Sequence, residues 1–176
     1  MTHVAVTAVG PDRPGIVAAV TGVLLRHGGN LEDTAMTRLG GHFAMVLVVE
    51  VPGDEDAGAL ESALAEETAA LGLTVTVRAI ADLADAGDDG EPWAVTVHGG
   101  DKPGIVHRVT SLLAEHGANI VDLATRRITT DAGAGYVVLL EVLIPGDAAA
   151  LTAALDAAAT ELGVDINLRP DEADVL

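Results

Sequence analysis

A shift of 89 positions carries Asp12-Arg13-Pro14-Gly15-Ile16-Val17 onto Asp101-Lys102-Pro103-Gly104-Ile105-Val106. The same shift superposes His27 on His116, Gly28 on Gly117, Asn30 on Asn119 and Asp33 on Asp122. The chain is therefore a duplication. Half of its 176 residues is enough for one small domain per copy, and a period this long points to a fused pair rather than a repeat array. Any function must suit two lobes built on one plan.

Each copy reads as strand, helix, strand, strand, helix, strand. In the first, Thr2–Val9 mixes Val with polar residues and stops at Gly10-Pro11. A helix follows in which Pro14 suits the first turn and Ile16, Val20, Val23, Leu24 and His27 share one face, ending at Gly28-Gly29. Strands are predicted at Asn30–Leu39 and His42–Val51 around a Gly40-Gly41 hairpin. A second helix is predicted over Glu55–Leu71, with Asp54, Glu55 and Asp56 near its positive end, then a strand over Leu73–Ala79. The second copy repeats this with strands at Trp93–His98, Asn119–Thr130, Gly135–Ile144 and Val164–Arg169, and helices at Pro103–His116 and Asp147–Leu162.

That order predicts an α+β chain of two ferredoxin-like βαββαβ domains, each an antiparallel four-stranded sheet with two helices on one face. Residues 1–84 form the first domain, 85–91 a polar Gly-rich linker, 92–170 the second domain and 171–176 a frayed tail. The third strand is apolar on both sides, Ala44, Val46 and Val48 against Met45, Leu47 and Val49. A solvated sheet face would show polar alternation, so the face away from the helices is expected to be covered by the other copy or by another subunit.

Charge excludes several classes of partner. Nine Lys and Arg face 27 Asp and Glu, a formal net charge of −18 that repels phosphate backbones and anionic membranes. The acidity lies in both copies. Met1 to Val6 shows neither a basic region nor a long apolar run, so no signal peptide or membrane anchor is expected and a cytoplasmic location follows. With no Cys there is no disulfide framework and no thiolate nucleophile. RNA-recognition modules share the strand and helix order, but need a basic face and aromatic platforms, whereas Phe43, Trp93 and Tyr136 are the only aromatics.

Two recurring turns can carry chemistry. Asp12-Arg13-Pro14-Gly15 and Asp101-Lys102-Pro103-Gly104 join a strand to a helix start, where unpaired N–H groups and the helix dipole favour a small anion. Glycine permits close approach and Arg13 or Lys102 adds a cation, a combination suited to an amino-acid carboxylate. The alternative is that Asp12 caps the helix and Pro-Gly only shapes the turn. Asn30 and Asn119, where the second strand begins, offer a donor and an acceptor together, matching an α-amino and an α-carboxyl group. The competing reading has them satisfy the turn backbone. The six histidines show no tight spacing on one helix, and His27 and His116 read as helix-end groups, so no metal and no cofactor is expected. Arg126-Arg127 reads as a salt-bridged rim.

The Pro-Gly turn, the helix, His-Gly-Gly-Asn-Leu-Glu-Asp and the apolar hairpin together resemble an ACT domain, and the tandem is similar to the glycine cleavage system transcriptional repressor group. The resemblance covers nearly the whole chain apart from linker and tail. It implies domains that pair side by side or face to face and bind amino acids or other small effectors at their interfaces. Carried over, the ligand-binding candidates are Asp12, Arg13, Pro14, Gly15 and Asn30, with Asp101, Lys102, Pro103, Gly104 and Asn119. In that group the second copy's turn is expected to be the more eroded; here it is intact, which leaves two working sites open.

The function expected is a regulatory module in which an amino-acid effector biases contact with a protein partner, a transcription factor or an enzyme. A homo-oligomer such as a dimer is expected. Transcriptional regulation of amino-acid (glycine) metabolism would be indirect, without direct nucleic-acid contact. No catalytic residues are expected. The alternatives are a purely structural dimerisation module and a small acyl phosphate hydrolase, for which Arg13 and Asn30 offer a thin match without a base.

Overall fold

The computed structural model describes residues 1–80, 89–100, 102–130 and 133–171. It divides into two compact units, Met1–Ala86 and Gly87–Leu176. In the first unit β1 (Thr2–Pro11), α1 (Ile16–Arg26), β2 (Asn30–Leu39), β3 (His42–Val51), α2 (Ala57–Thr68) and β4 (Thr74–Ile80) follow one another, with a short 3-10 turn at Ala69–Leu71. In the second, β5 (Glu91–Gly99), α3 (Ile105–Glu115), β6 (Asn119–Thr130), β7 (Gly133–Ile144), α4 (Ala149–Leu162) and β8 (Asp165–Pro170) repeat the order. Each unit holds one antiparallel sheet, ordered β2-β3-β1-β4 and β6-β7-β5-β8. Both are the ferredoxin-like arrangement that the sequence predicts.

Alternation decides which side of each strand is buried. Val4, Val6 and Ala8 of β1, Phe43 to Val51 at every second position of β3, and Val75 and Val77 of β4 meet Ile16, Val20, Val23 and Leu24 of α1 and Leu60 and Leu64 of α2. The second core repeats this with Val95, Val97, Val138, Leu140, Val142 and Ile144 beneath Val109, Leu113, Leu151 and Leu155. Among the described residues Thr68 is the buried polar one, and its hydroxyl donates to the Leu64 carbonyl at 2.8 Å, so its polar atom is satisfied.

The helix starts need correction. Pro14 does not lie in the first helical turn, because Gly15 stands at φ +93° as the residue that introduces α1, and the helix begins at Ile16. Only glycine adopts that left-handed conformation at little cost, and Gly104 repeats it at φ +93°. At α2 the Asp56 carboxylate caps the helix, accepting from Gly58 and Ala59 N–H groups at 3.2 Å each. Glu55, grouped with it in sequence, instead meets His27 Nδ1 at 2.9 Å.

On the far side of the first sheet Val46 is 48% exposed, and Thr7, Thr76 and His3 stand among Ala and Val. Within its own unit that face is open. Strand β2 is exposed along its whole length, since it pairs with β3 on one side and reaches beyond the helices.

Candidate functional site

The two recurring turns set their glycines alike and place their cations alike. The Arg13 guanidinium donates to the Ala70 carbonyl at 3.4 Å, and the Lys102 ammonium donates to the Leu162 carbonyl at 3.0 Å. The Leu162 carbonyl closes α4 and the Ala70 carbonyl lies in the 3-10 turn that follows α2, so each cation sits at the negative end of a helical segment. Asp12 does not cap α1. Its carboxylate meets Arg38 Nε at 2.9 Å and its backbone N–H donates to the Gly41 carbonyl at 3.0 Å, which pins the β2–β3 hairpin beside the turn. Asp101 lies outside the described residues.

With those side chains committed elsewhere, the start of α1 carries no side-chain cap and no acidic group in its first turn, and the same is true of α3. A Cβ placed on Gly15 or Gly104 would meet nothing within 4 Å. The backbone there is approachable, so the glycines are required by φ rather than by lack of space. Pro14 and Pro103 are exposed beside them.

Asn30 lies at the opposite end of α1. It lines a groove of about 460 Å³ with Ala18, Thr21, Gly22, Leu24, Leu25, Gly29 and Leu31, between the exposed side of α1 and the first residues of β2. Ala18, Gly22 and Gly29 make the room, and Leu25, 77% exposed, and Leu31, 42% exposed, give apolar walls. Among the described residues the Asn30 and Asn119 side chains have no hydrogen-bond partner, so neither amide is spent on its own turn. The Thr21 hydroxyl donates to the Val17 carbonyl at 2.8 Å and keeps acceptor capacity towards the groove. In the second unit the equivalent positions carry His107, Ser111 and Ala118, each larger than its counterpart.

The structure does not bring the Pro-Gly turn and Asn30 together within one unit. Eleven helical residues separate them, about 16 Å at 1.5 Å rise per residue. Sequence reading missed the groove because its floor is a set of small residues on the outer side of α1, where absence of bulk is the only signal. The two helix-end histidines also part company: His116 Nδ1 donates to the Leu112 carbonyl at 2.8 Å, while His27 holds Glu55. Arg126 and Arg127 are both exposed on β6.

Two ferredoxin-like units, each with a left-handed glycine introducing its first helix and an unspent Asn opening its second strand, make this a tandem of small α+β domains. The chain belongs to the ACT domain family: residues 2–78 and residues 93–160 each match an ACT domain model. It is 31% identical to the glycine cleavage system transcriptional repressor of Escherichia coli over 125 residues, which is 70% of this chain and 64% of that protein. It is also 42% identical to a UPF0237 protein of Methanopyrus kandleri over 79 residues, 44% of this chain and 88% of that protein. A solved structure of an unknown protein from Galdieria sulphuraria superposes with a TM-score of 0.81 at 30% identity, covering 96% of this chain and 98% of that one.

Proposed function

We propose that this is an amino-acid-binding regulatory protein without catalytic function of its own, in which the groove at Asn30 takes the effector. The unspent Asn30 amide beside a groove floored by small residues is the observation that carries the reading. A free amino acid presents an ammonium and a carboxylate together, and an amide that both donates and accepts answers both. The open N–H groups at Gly15, about 16 Å away along α1, then serve a second contact when another ACT domain, supplied by a second copy, pairs along the exposed β2 edge. Arg13 and Lys102 act in this reading as helix-end anchors that hold the turn's shape.

The effector changes how readily copies associate, and through that the affinity for a protein partner. The Escherichia coli relative's name, glycine cleavage system transcriptional repressor, makes glycine the first amino acid to test; in this reading any control of transcription is indirect. The net charge of −18 opposes direct contact with nucleic acid. Among the described residues no helix is long and apolar enough to cross a membrane.

Thermal denaturation in the presence of each of the twenty amino acids tests the reading. At least one should raise the melting temperature of the chain, and Asn30→Leu should abolish that rise while leaving the unliganded melt within about 0.5 kcal/mol, as expected of an exposed residue. If no amino acid stabilises a folded chain, the groove is not an effector site. The larger His107, Ser111 and Ala118 at the equivalent positions of the second unit predict that Asn119→Leu costs less response than Asn30→Leu.

A further inference from the structure

We infer that the first unit holds a divalent metal site formed by His3, Glu32 and Glu50 on the sheet face away from the helices. One ligand atom from each of the three lies within 4.8 Å of the others, and His3 Nε2 stands 3.0 Å from Glu32 Oε2. His3 and Glu50 are direct cross-strand partners of β1 and β3, and both point away from the core, since their neighbours Val4, Val49 and Val51 are buried on the other side. Glu32 comes from the next strand. The β2–β3 register slips between Leu31 and Asp33, leaving Glu32 as the extra residue of a β-bulge. A bulge re-aims the side chain it carries, and here it brings a third ligand over the other two.

Electrostatics favours a cation at this point. Two carboxylates held side by side repel, and one imidazole offsets at most one of them. The side chains are partly withdrawn from water, with His3 at 15% and Glu32 at 31% exposure, so solvent screens the repulsion only in part. One nitrogen and two carboxylate oxygens suit Zn²⁺ or a neighbouring first-row divalent ion, with bonds of about 2.0–2.2 Å and the remaining positions left to water. Bonds of that length set ligand atoms about 3.0–3.5 Å apart, so the trio closes on an ion by small side-chain movements.

The duplication supplies an internal comparison. In the second unit the same register places Pro92, Val121 and Leu143 at these three positions, and the bulge recurs between Ile120 and Asp122. The bulge is thus a property of the fold, whereas the three ligands belong to the first unit alone. An ion there ties β1, β2 and β3 together at the strand end that carries Asn30.

The test is calorimetric titration of the chelator-treated full chain with Zn²⁺, with Co²⁺ absorption to report coordination. One Zn²⁺ per chain should bind and raise the melting temperature, and His3→Gln or Glu50→Gln should each weaken binding about tenfold or more. His107→Gln, on an exposed helix position, should bind as the parent does. Glu32→Gln, at the exposed bulge, gives the same reading should a change in the paired strands impair folding. Absence of stoichiometric binding, or equal binding by parent and variants, would overturn the site and leave diffuse attraction of cations to an acidic surface.

Discussion

At the scale of single residues, the duplicated turn separates roles that adjacency in sequence had merged. Asp12, Arg13 and Gly15 stand within four positions, yet one holds the hairpin, one anchors a helix end and one sets the backbone direction of α1. Gly15→Ala forces a Cβ into the left-handed region although nothing crowds it, so the loss should be that of conformation alone, about 1–2 kcal/mol. A matching loss at Gly104→Ala, read from urea melts, would establish that both turns are held by φ. Lys102→Ala should cost about 0.3–1 kcal/mol through the released Leu162 carbonyl, and should leave amino-acid binding at the first groove unchanged. A larger effect on binding than on stability would return Lys102 to the ligand. The partners of Arg13 and Lys102 lie 57 and 60 residues downstream, which is why no local pattern announces them.

At the scale of elements, periodicity exposes whatever depends on neighbours in the chain. Ile16, Val20, Val23 and Leu24 were legible as the inner face of α1 because a spacing of three and four residues makes a stripe, and all four are buried. The Gly40-Gly41 hairpin was legible because two positive-φ residues fit the strand twist, and they stand at +57° and +81°. The start of α1 was misplaced because Pro14-Gly15 fits both a first helical turn and a turn before it, and only φ decides. The groove and the His3, Glu32 and Glu50 trio were illegible, since each is assembled across elements and the bulge moves Glu32 out of simple alternation. Strand β2 presents Leu31, Met36 and Leu39 at 42%, 55% and 69% exposure along an unpaired edge. A lysine there opposes edge pairing by charge and desolvation. Met36→Lys should therefore weaken self-association about tenfold or more in sedimentation velocity, without lowering the melting temperature of the dilute protein. Unchanged association would remove β2 from the pairing surface.

At the scale of the molecule, duplication has produced two cores that share no residue, one drawn from Val4 to Val77 and the other from Val95 to Val164. Leu64 in α2 and Leu155 in α4 sit at corresponding depths, 0% and 2% exposed, so truncating either to Ala opens a cavity in one core only. The expected loss is about 2–5 kcal/mol in the unit concerned, about 10 °C or more for a domain of this size. The single Trp of the chain separates the two, because Trp93 packs against the second core and its fluorescence reports that unit. Leu155→Ala should lower the fluorescence-detected melt. Leu64→Ala should leave that melt in place while lowering the first part of the far-ultraviolet circular dichroism transition. Should Leu64→Ala move the Trp93 signal as far as Leu155→Ala does, the units unfold as one, and an effector bound at Asn30 then stabilises the second core as strongly as the first.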